Sequence, residues 1–541
     1  MLYFNYAEVA QLVEHRTENP GVGSSILPLG IKGRCGSGVE QRFRKPQVEG
    51  SSPSTGLFFS ASSANSVVAR MDKLIFSISG ARGIVGESLT PEVASNFGKA
   101  FGTFIVSGKG DRDNPRPYID KKIVVGRDAR ESGEWLKEAF ISGVLSTGSS
   151  VIDVGPSPTP TVLFNIRPLN ANGGAVITAS HNPPEWNGFK FANEKGIFLN
   201  AQEMSELYKI YKNKKFVTNR KGNLVYDNKS KERHTRAVLD SLDSKLIQSK
   251  HFKVILDSTQ GVVSEECAIL LRQLGCKFWE ENSTRGLEPT RENLSNLTRT
   301  VKSKGADVGF ATDPDGDRLS LVAEDGEALG EEYTLPLVAS WILIKNQKLK
   351  IKNQKLVVTN LSTSKMIEDV VTQNGGKTIR TPVGEVNVVK EMMRKKAVLG
   401  GEGNGGIIDP TANYTRDSLV GIGRILEYMA TSGEKLSTLA NYLPKYYMIK
   451  EKVACSRKFV GTRYSVSLLE LLPKIVEDNS YRVNREDGVR IDFSLGWIHI
   501  RKSNTEPILR IICETTDKKL TDSLLKEVKI NLTGIEREFK R

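Results

Sequence analysis

Cysteine is scarce in this chain. The five cysteines among 541 residues (Cys35, Cys267, Cys276, Cys455 and Cys513) form no CxxC pair and keep no regular spacing. An odd, scattered set excludes a disulfide framework and reads as reduced thiols in a cytoplasm. Long hydrophobic runs are also missing. The most apolar stretch, 335–344, is interrupted by Ser340 and falls well short of the ~18 residues of a membrane span. Aromatic residues make up 7%, and no basic stripe is interleaved with them. The net charge of +14 therefore suits an anionic small substrate rather than nucleic acid. Neither a nucleic-acid nor a membrane partner is expected, and oligomeric state is not legible. The rest of the composition, 38% hydrophobic and 26% charged, is that of globular domains. At roughly 100–200 residues per domain the length corresponds to about three to five of them.

The first seventy residues stand apart. Ten Ser, eight Gly and four Pro supply nearly a third of them, without helical or strand periodicity. Two stretches rhyme, EHRTENPGVGSSILPLG (14–30) and EQRFRKPQVEGSSPSTG (40–56). Both look like peptides that arise when transfer-RNA genes are translated by mistake. There is no apolar run of signal-peptide type. The expectation is a non-native or disordered extension over 1–70, with translation starting at Met71. A second oddity is IKNQKL at 344–349, repeated at 351–356. It reads as a solvated inter-domain linker or loop lengthened by local duplication.

From Met71 onward, short Val/Ile strands alternate with amphipathic helices. Thr90-Pro91-Glu92 predicts a helix start, with a hydroxyl cap and proline at the first helical position. KIVVG (122–126), GAVIT (174–178), FKVILD (252–257), DVGFA (307–311) and KLVVTN (355–360) predict buried strands. The fold expected is α/β: three successive α/β units with mixed, mostly parallel sheets at 71–222, 223–328 and 329–447. The last unit, 448–541, alternates like antiparallel strands before a helix from Asp522 and reads as α+β.

Four constellations carry chemistry. TASHNPPEWNGFK (178–190) follows a buried strand, so Ser180 and Lys190 sit where open α/β sheets bind ligands. A rigid loop with one central hydroxyl and one amine suits a nucleophile or phosphoryl carrier. His181, adjacent in sequence, is expected to be poorly placed as its base, and no GxSxG elbow is present. ATDPDGDRLSLVAE (311–324) places Asp313, Asp315 and Asp317 at alternate positions, where they repel unless a hard cation lies between them. An EF-hand is excluded because Arg318 stands where its glycine is required. GGEGNGG (400–406) contains GxGxxG but opens no helix, so it fails as a dinucleotide motif; Glu402 and Asn404 can instead meet sugar hydroxyls. RKSNTEPILR (501–510) gathers Arg501, Ser503, Asn504, Thr505 and Arg510 into a cradle suited to phosphate. Arg82 in SGARGIVGE reads as a flexible-loop arginine, and Arg127 in GRDAR as a domain-interface or phosphate contact.

In this order the set resembles the α-D-phosphohexomutase family: phosphoglucomutase, phosphomannomutase and phosphoglucosamine mutase. The resemblance runs from Met71 to about Glu536 and implies four domains around a central cleft, each giving one loop. It implies that Ser180 is a phosphoserine and that Ser180, Asp313, Asp315 and Asp317 hold Mg²⁺. It makes Arg82, Lys190 and Arg318 the cations near the transferring phosphoryl group. Glu402 and Asn404 would read the sugar, and Arg501, Ser503, Asn504 and Thr505, with Arg510, would grip the second phosphate. A sugar 1,6-bisphosphate is the implied intermediate and activator, and a hexose phosphate the implied substrate. Many bacterial relatives carry Ser at the position of Asn404 and His at that of Gly406, whereas GEGNGG resembles archaeal-type members. Glu385 in TPVGEVNV stands where relatives often carry His or Asp. Glucosamine 6-phosphate is the expected substrate, with glucose and mannose phosphates as the alternative. The rivals from other classes are a Mg²⁺-dependent phosphatase with an Asp nucleophile and an inactive sugar-phosphate binder.

Overall fold

The computed structural model describes residues 74–108, 121–219, 221–259, 261–281, 284–349, 355–454, 481–502 and 508–540. The N-terminal stretch 1–70 and the candidate residues Ser503, Asn504 and Thr505 lie outside the described residues.

The first sheet has seven strands: β1 (Ile75–Ser77), β2 (Gly80–Ile84), β3 (Lys122–Arg127), β4 (Ser150–Pro156), β5 (Gly173–Ile177), β6 (Trp186–Asn193) and β7 (Leu224–Tyr226). Their order is β1-β2-β6-β5-β3-β4-β7. β5, β3, β4 and β7 run parallel, and β6 joins antiparallel between β5 and β2. Because β7 completes this sheet, the sheet continues past residue 222, where the sequence pattern puts a joint. Helix α1 (Pro91–Ser107) begins where Thr90-Pro91 predicts: the Thr90 hydroxyl accepts a bond from Val93 N at 3.3 Å. Helices α2 (Gly133–Leu145) and α3 (Thr159–Ile166) pack on the same sheet.

The second sheet contains β8 (Lys253–Asp257), β9 (Lys277–Glu280), β10 (Val308–Thr312), β11 (Leu319–Ala323) and β12 (Ala328–Gly330), ordered β12-β11-β10-β8-β9. Two of its helices matter below, α4 (Ser230–Asp240) and α5 (Ser264–Gln273). Helix α6 (Thr334–Lys348) leads into the third sheet: β13 (Leu356–Asn360), β14 (Lys377–Thr381), β15 (Leu399–Glu402) and β16 (Gly406–Ile408). Its order is β14-β13-β15-β16. This unit also holds α7 (Glu385–Lys395) and α8 (Ser418–Ser432).

The first copy of IKNQKL corrects the linker reading. Ile344–Lys348 form the last turn and more of α6, so the repeat lies inside the third unit, between a helix and β13. Residues 351–354 of the second copy lie outside the described residues.

Helix α6 is buried continuously from Thr334 to Leu343, which marks a helix with apolar neighbours all round rather than one wet face. One core accordingly runs through both units, joining Val254 and Phe310 of the second sheet to Leu335, Ile425 and Leu426. The last unit has a core of its own. Its strands β17 (Tyr447–Ala454), β18 (Arg482–Asn484), β19 (Val489–Phe493), β20 (Gly496–Lys502) and β21 (Ile508–Thr515) form an antiparallel sheet ordered β17-β21-β20-β19-β18. Ile491, Ile498, Ile500 and Ile511 pack there against Leu524 and Val528 of α9 (Lys518–Lys540). This helix starts earlier than the expected Asp522. No described helix is long and apolar enough to cross a membrane.

A polar cluster stitches the first three units together behind the cleft. His234 on α4 is fully buried. Its Nε2 lies 2.8 Å from Asp417, which caps α8, and its Nδ1 lies 2.9 Å from the Thr161 hydroxyl on α3. Thr161 in turn donates to Glu266 on α5 at 2.7 Å. Burial opposes the charged ring, but Asp417 and then Glu266 outweigh it, and the pKa is pushed up to about 10. A raised histidine stabilises the fold fully below its unfolded pKa, and that contribution fades as pH climbs toward the folded value. The melting temperature is therefore expected to fall between pH 6.5 and pH 10. His234→Gln should melt lower at pH 6.5 and lose most of this slope, as read by calorimetry across that range.

Candidate active site

The Ser180 loop begins where the buried strand β5 ends. Ser180 is 3% exposed and adopts φ +52°, a left-handed conformation that costs an ordinary residue strain energy. The neighbours that maintain it are visible. The Thr178 hydroxyl accepts from Ser180 N at 2.8 Å and donates to Asp128 at 2.6 Å. Arg130 donates to four carbonyls of the same loop: Ser180 and Asn182 at 2.6 Å, Pro183 at 2.8 Å and Trp186 at 3.0 Å. One rigid guanidinium fork thus holds the turn that aims the hydroxyl.

The hydroxyl points at the second constellation. Ser180 Oγ lies 3.3 Å from Asp313 Oδ2. Asp313, Asp315 and Asp317 are buried, and each offers an oxygen within 4.8 Å of the others. The turn closes on itself because Asp313 Oδ1 accepts from Asp317 N and Arg318 N at 3.0 and 3.1 Å. Gly316 sits in this turn at φ +73°, where a Cβ would approach Val263 to 2.9 Å. Lys190, on β6, donates to Asp315 at 2.7 Å and lies 3.5 Å from Asp317. Thr159 also donates to Asp315, at 3.0 Å.

The carboxylates differ in charge preference. Burial, then Asp317 and Asp315, pushes the Asp313 carboxyl well above the usual range. Burial acts the same way on Asp315, but the Lys190 ammonium beside it prevails and holds it well below that range. Lys190 stays charged for the same reason: burial works against its ammonium, and Asp315 and Asp317 raise its pKa. Asp315 Oδ1 and Asp317 Oδ1 are buried with no hydrogen-bond partner. Buried carboxylate oxygens without a hydrogen bond, all hard donors, fit a small divalent cation.

Three expectations need correction. Arg82 is on strand β2 rather than a flexible loop, and donates to Asn182 Oδ1 at 2.6 Å. Arg127 binds Glu134 and the Asp128 carbonyl inside its own unit, instead of reaching an interface or the cleft. His181 is nearer to Ser180 than its adjacency suggests. The left-handed turn brings its Nδ1 to 3.3 Å from Ser180 Oγ, while Arg318 Nη2 lies 3.0 Å from the same nitrogen. Burial and then Arg318 push the ring's pKa well down, so the imidazole is neutral.

Glu402 ends β15, and residues 403–405 turn the chain into β16. Its carboxylate accepts from Asn360 Nδ2 at 2.8 Å and Gly384 N at 3.2 Å, and pairs with Arg416 at 3.1 Å. Asn404 folds back to accept from Gly406 N at 3.1 Å. Across the cleft, Arg501 on β20 and Arg510 on β21 are direct cross-strand partners. Arg501 Nε donates to Asp487 at 2.9 Å, and its buried Nη2 has no hydrogen-bond partner. Both arginines border the cleft. All four units thus line one cavity of about 730 Å³, with Ser180 and Lys190, Arg318, Glu402 and Asn404, and Arg501 and Arg510 on its walls.

Four domain models of the phosphoglucomutase/phosphomannomutase family match in chain order: α/β/α domain I at 73–218, domain II at 232–326, domain III at 331–447, and the C-terminal domain at 464–530. This chain belongs to that family. A Thermococcus kodakarensis relative named "Phosphoglucomutase/phosphomannomutase" is 37% identical over 82% of this chain and 95% of its own length. A Pyrococcus horikoshii relative named "Probable phosphoglucosamine mutase" is 36% identical over 84% of this chain and 96% of its own. The crystal structure of a family protein from Burkholderia thailandensis superposes with a TM-score of 0.72 at 25% identity, covering 85% of this chain and 97% of that one. The chain is thus a phosphohexomutase, an isomerase that works by phosphoryl transfer.

Some participants in this phosphohexomutase site escaped the sequence reading. Arg130 stands in the same GRDAR stretch as Arg127, and nothing in their spacing says which of the two turns inward. Arg416 and Glu288 belong to none of the four loops. Glu288 accepts from Arg318 at 2.9 Å and lies 3.2 Å from His181 Nε2, and only the fold brings them together.

Proposed function

We propose that this chain moves a phosphoryl group between the 6- and 1-positions of glucosamine phosphate, with Ser180 as the carrier. The observation that carries this reading is a strained, pinned serine hydroxyl facing three buried carboxylates, with Arg501 and Arg510 across the same cavity. The phosphoryl group on Ser180 Oγ passes to a sugar hydroxyl: the Oγ–P bond breaks, a sugar O–P bond forms, and the proton lost by the sugar oxygen is balanced by one gained at Ser180 Oγ. The resulting 1,6-bisphosphate turns over in the cleft and returns its other phosphoryl group to Ser180. Arg501 and Arg510 grip whichever phosphate is not reacting. Phosphoryl transfer asks mainly for positioning and charge neutralisation, and Arg82, Lys190 and Arg318 supply the latter. The charged Lys190 is a proton donor rather than a base.

Asp313, Asp315, Asp317 and the Ser180 oxygen would hold Mg²⁺, which accepts few carboxylates plus phosphate oxygens. When bound it would neutralise charge on the transferring phosphoryl group. Glu402 and Asn404 would read the sugar hydroxyls. The nearby Glu332 and Glu385 also line the cavity, paired with Lys450 and Arg416, and the amino-sugar reading is supported by the name of the Pyrococcus relative. The free, buried Cys267, Cys276 and Cys513 suit a reducing cytoplasm.

The name of the Thermococcus relative favours a second reading, glucose and mannose phosphates. Turnover of glucosamine 6-phosphate, glucose 1-phosphate and mannose 1-phosphate, with Mg²⁺ and a trace of glucose 1,6-bisphosphate, separates the two. The proposal expects kcat/KM at least about tenfold higher for the amino sugar, a margin of about 1.4 kcal/mol. A preference for glucose or mannose phosphate establishes the second reading, and phosphate release without isomerisation points to a phosphatase.

A further inference from the structure

Arg416 makes one contact in each of three places that the proposed function treats separately. Its Nη2 donates to Asp317 Oδ2 at 2.6 Å, its Nη1 lies 3.1 Å from Glu402, and its Nε donates to Glu385 at 3.0 Å. Asp317 belongs to the carboxylate cluster, Glu402 to the turn between β15 and β16, and Glu385 to the first turn of α7. The guanidinium is planar and permanently charged, so its three edges hold these carboxylates in a fixed mutual orientation. Asp317 shows the result: Oδ2 accepts from Arg416, and Oδ1 is left buried with no hydrogen bond, 3.7 Å from Arg318 Nε.

The segment carrying Arg416 is itself clamped. Its own backbone N–H donates to Glu385 at 3.0 Å. Asp417 N donates to the Ile407 carbonyl at 2.8 Å, and the Ser418 hydroxyl donates to the Gly316 carbonyl at 2.8 Å. Gly316 is in the metal-loop turn and Ile407 is next to the sugar loop. The side chain then crosses Gly406 so closely that a Cβ there would lie 2.3 Å from Arg416 Cδ and 2.8 Å from Cγ. Gly406 does not adopt a positive φ, so its backbone alone would accept alanine. What it lacks room for is the methyl group beside Arg416.

We propose that Arg416 is a positioning residue that couples the ion-binding carboxylates to the sugar-reading loop, and that Gly406 lacks a side chain in order to seat it. The inference rests on the roles proposed above for Asp317 and Glu402. A sugar that engages Glu402 changes how tightly that carboxylate holds the guanidinium. The change is felt at Asp317, which shares the same fork. Coupling between two binding sites is reciprocal by thermodynamic necessity.

The test uses the full chain with Ser180 unphosphorylated, so that a sugar monophosphate binds without turnover. Mn²⁺ affinity is read by electron paramagnetic resonance with and without saturating glucosamine 6-phosphate, or glucose 6-phosphate if that is the better substrate. In the wild type the sugar phosphate should change the Mn²⁺ dissociation constant by at least about threefold. Arg416→Lys keeps the charge but replaces the planar fork with a shorter, single ammonium that cannot fix three carboxylates in one orientation, and Gly406→Ala displaces the fork while replacing no charged residue. Both should bring the factor below about 1.5 and raise KM for the sugar phosphate by about tenfold. Thermal melting confirms that both variants are folded. No coupling in the wild type, or full coupling in either folded variant, overturns the proposal. Asp317→Asn and Glu402→Gln are assayed beside them. If neither lowers turnover, the reading of the site falls and the inference with it; if both do while Arg416→Lys retains coupling, the inference alone fails.

Discussion

Replacing Ser180 by alanine removes isomerase turnover, by about four orders of magnitude or on the order of 5 kcal/mol of barrier. The loss is expected in kcat, because in the proposed cycle the Ser180 oxygen forms and breaks the bond while Arg501, Arg510 and Glu402 would still bind the sugar phosphate. A steady-state assay with the preferred hexose phosphate reads kcat, and calorimetric titration of the same ligand reads an affinity within about threefold of wild type. Retained turnover would show that another nucleophile works in this cleft. Asp313 would be the first suspect, as the phosphatase reading requires. The melting temperature should not fall, since alanine removes only an oxygen whose neighbours Asp313 and His181 keep other partners.

The second large effect has two opposite signs in one variant. Asp313→Asn keeps the Oδ1 acceptor that closes the metal-loop turn on Asp317 N and Arg318 N, but removes one charge from the cluster. Isomerase activity should drop by about a thousandfold, roughly 4 kcal/mol, because the proposed ion site would lose a charge beside the proposed carrier hydroxyl. The chelator-treated variant should nevertheless be more stable than chelator-treated wild type, by about 1–2 kcal/mol, since three buried carboxylates within 4.8 Å repel each other without a cation. Thermal melting with and without Mg²⁺ checks this. Mg²⁺ should raise the melting temperature of wild type clearly and that of the variant only slightly. A variant that is both inactive and less stable would mean that Asp313 is a structural residue.

The four chemical loops were legible in the sequence because each is local. TASHNP, DPDGDR, GEGNGG and the two arginines of RKSNTEPILR sit at strand ends, and a strand end can be read from a short apolar run. Helix α1 was legible for the same reason, since Thr90-Pro91 carries its own start signal. What could not be read depends on contacts far apart in the chain. Arg130 reaches across about fifty residues to the carbonyls around Ser180. Arg416 lies ninety-nine residues from Asp317. His234 and Asp417 are separated by 183. No periodicity marks such residues, because their partners are chosen by topology. The strand β7 and the extended helix α6 were misjudged on related grounds. A three-residue strand has no readable alternation, and the polar Lys-Asn-Gln-Lys at the end of α6 looks like a loop until its helix is seen.

The separate core of the last unit fits the reaction cycle. The second and third units share one hydrophobic core, whereas the strands carrying Arg501 and Arg510 form a separate apolar core with α9. Against the third unit this domain places polar contacts: Lys450 to Glu331 and Glu332 at 2.9 and 2.8 Å, Lys365 N to Glu514 at 2.7 Å, and Val383 N to Asp487 at 3.0 Å. Polar interfaces of this kind open at lower cost than a shared apolar core. In the proposed cycle, Arg501 and Arg510 mounted on such a domain would follow the bisphosphate as it turns.

The account stands on Ser180 carrying the phosphoryl group, and the most direct test is to find it there. The full chain is incubated with Mg²⁺ and glucose 1,6-bisphosphate, then digested and analysed by mass spectrometry, before and after a pulse of glucosamine 6-phosphate. A single phosphopeptide containing Ser180 is expected, whose phosphate is transferred to the sugar during the pulse. Phosphate on Asp313, or a phosphorylated Ser180 that the sugar does not discharge, would contradict it.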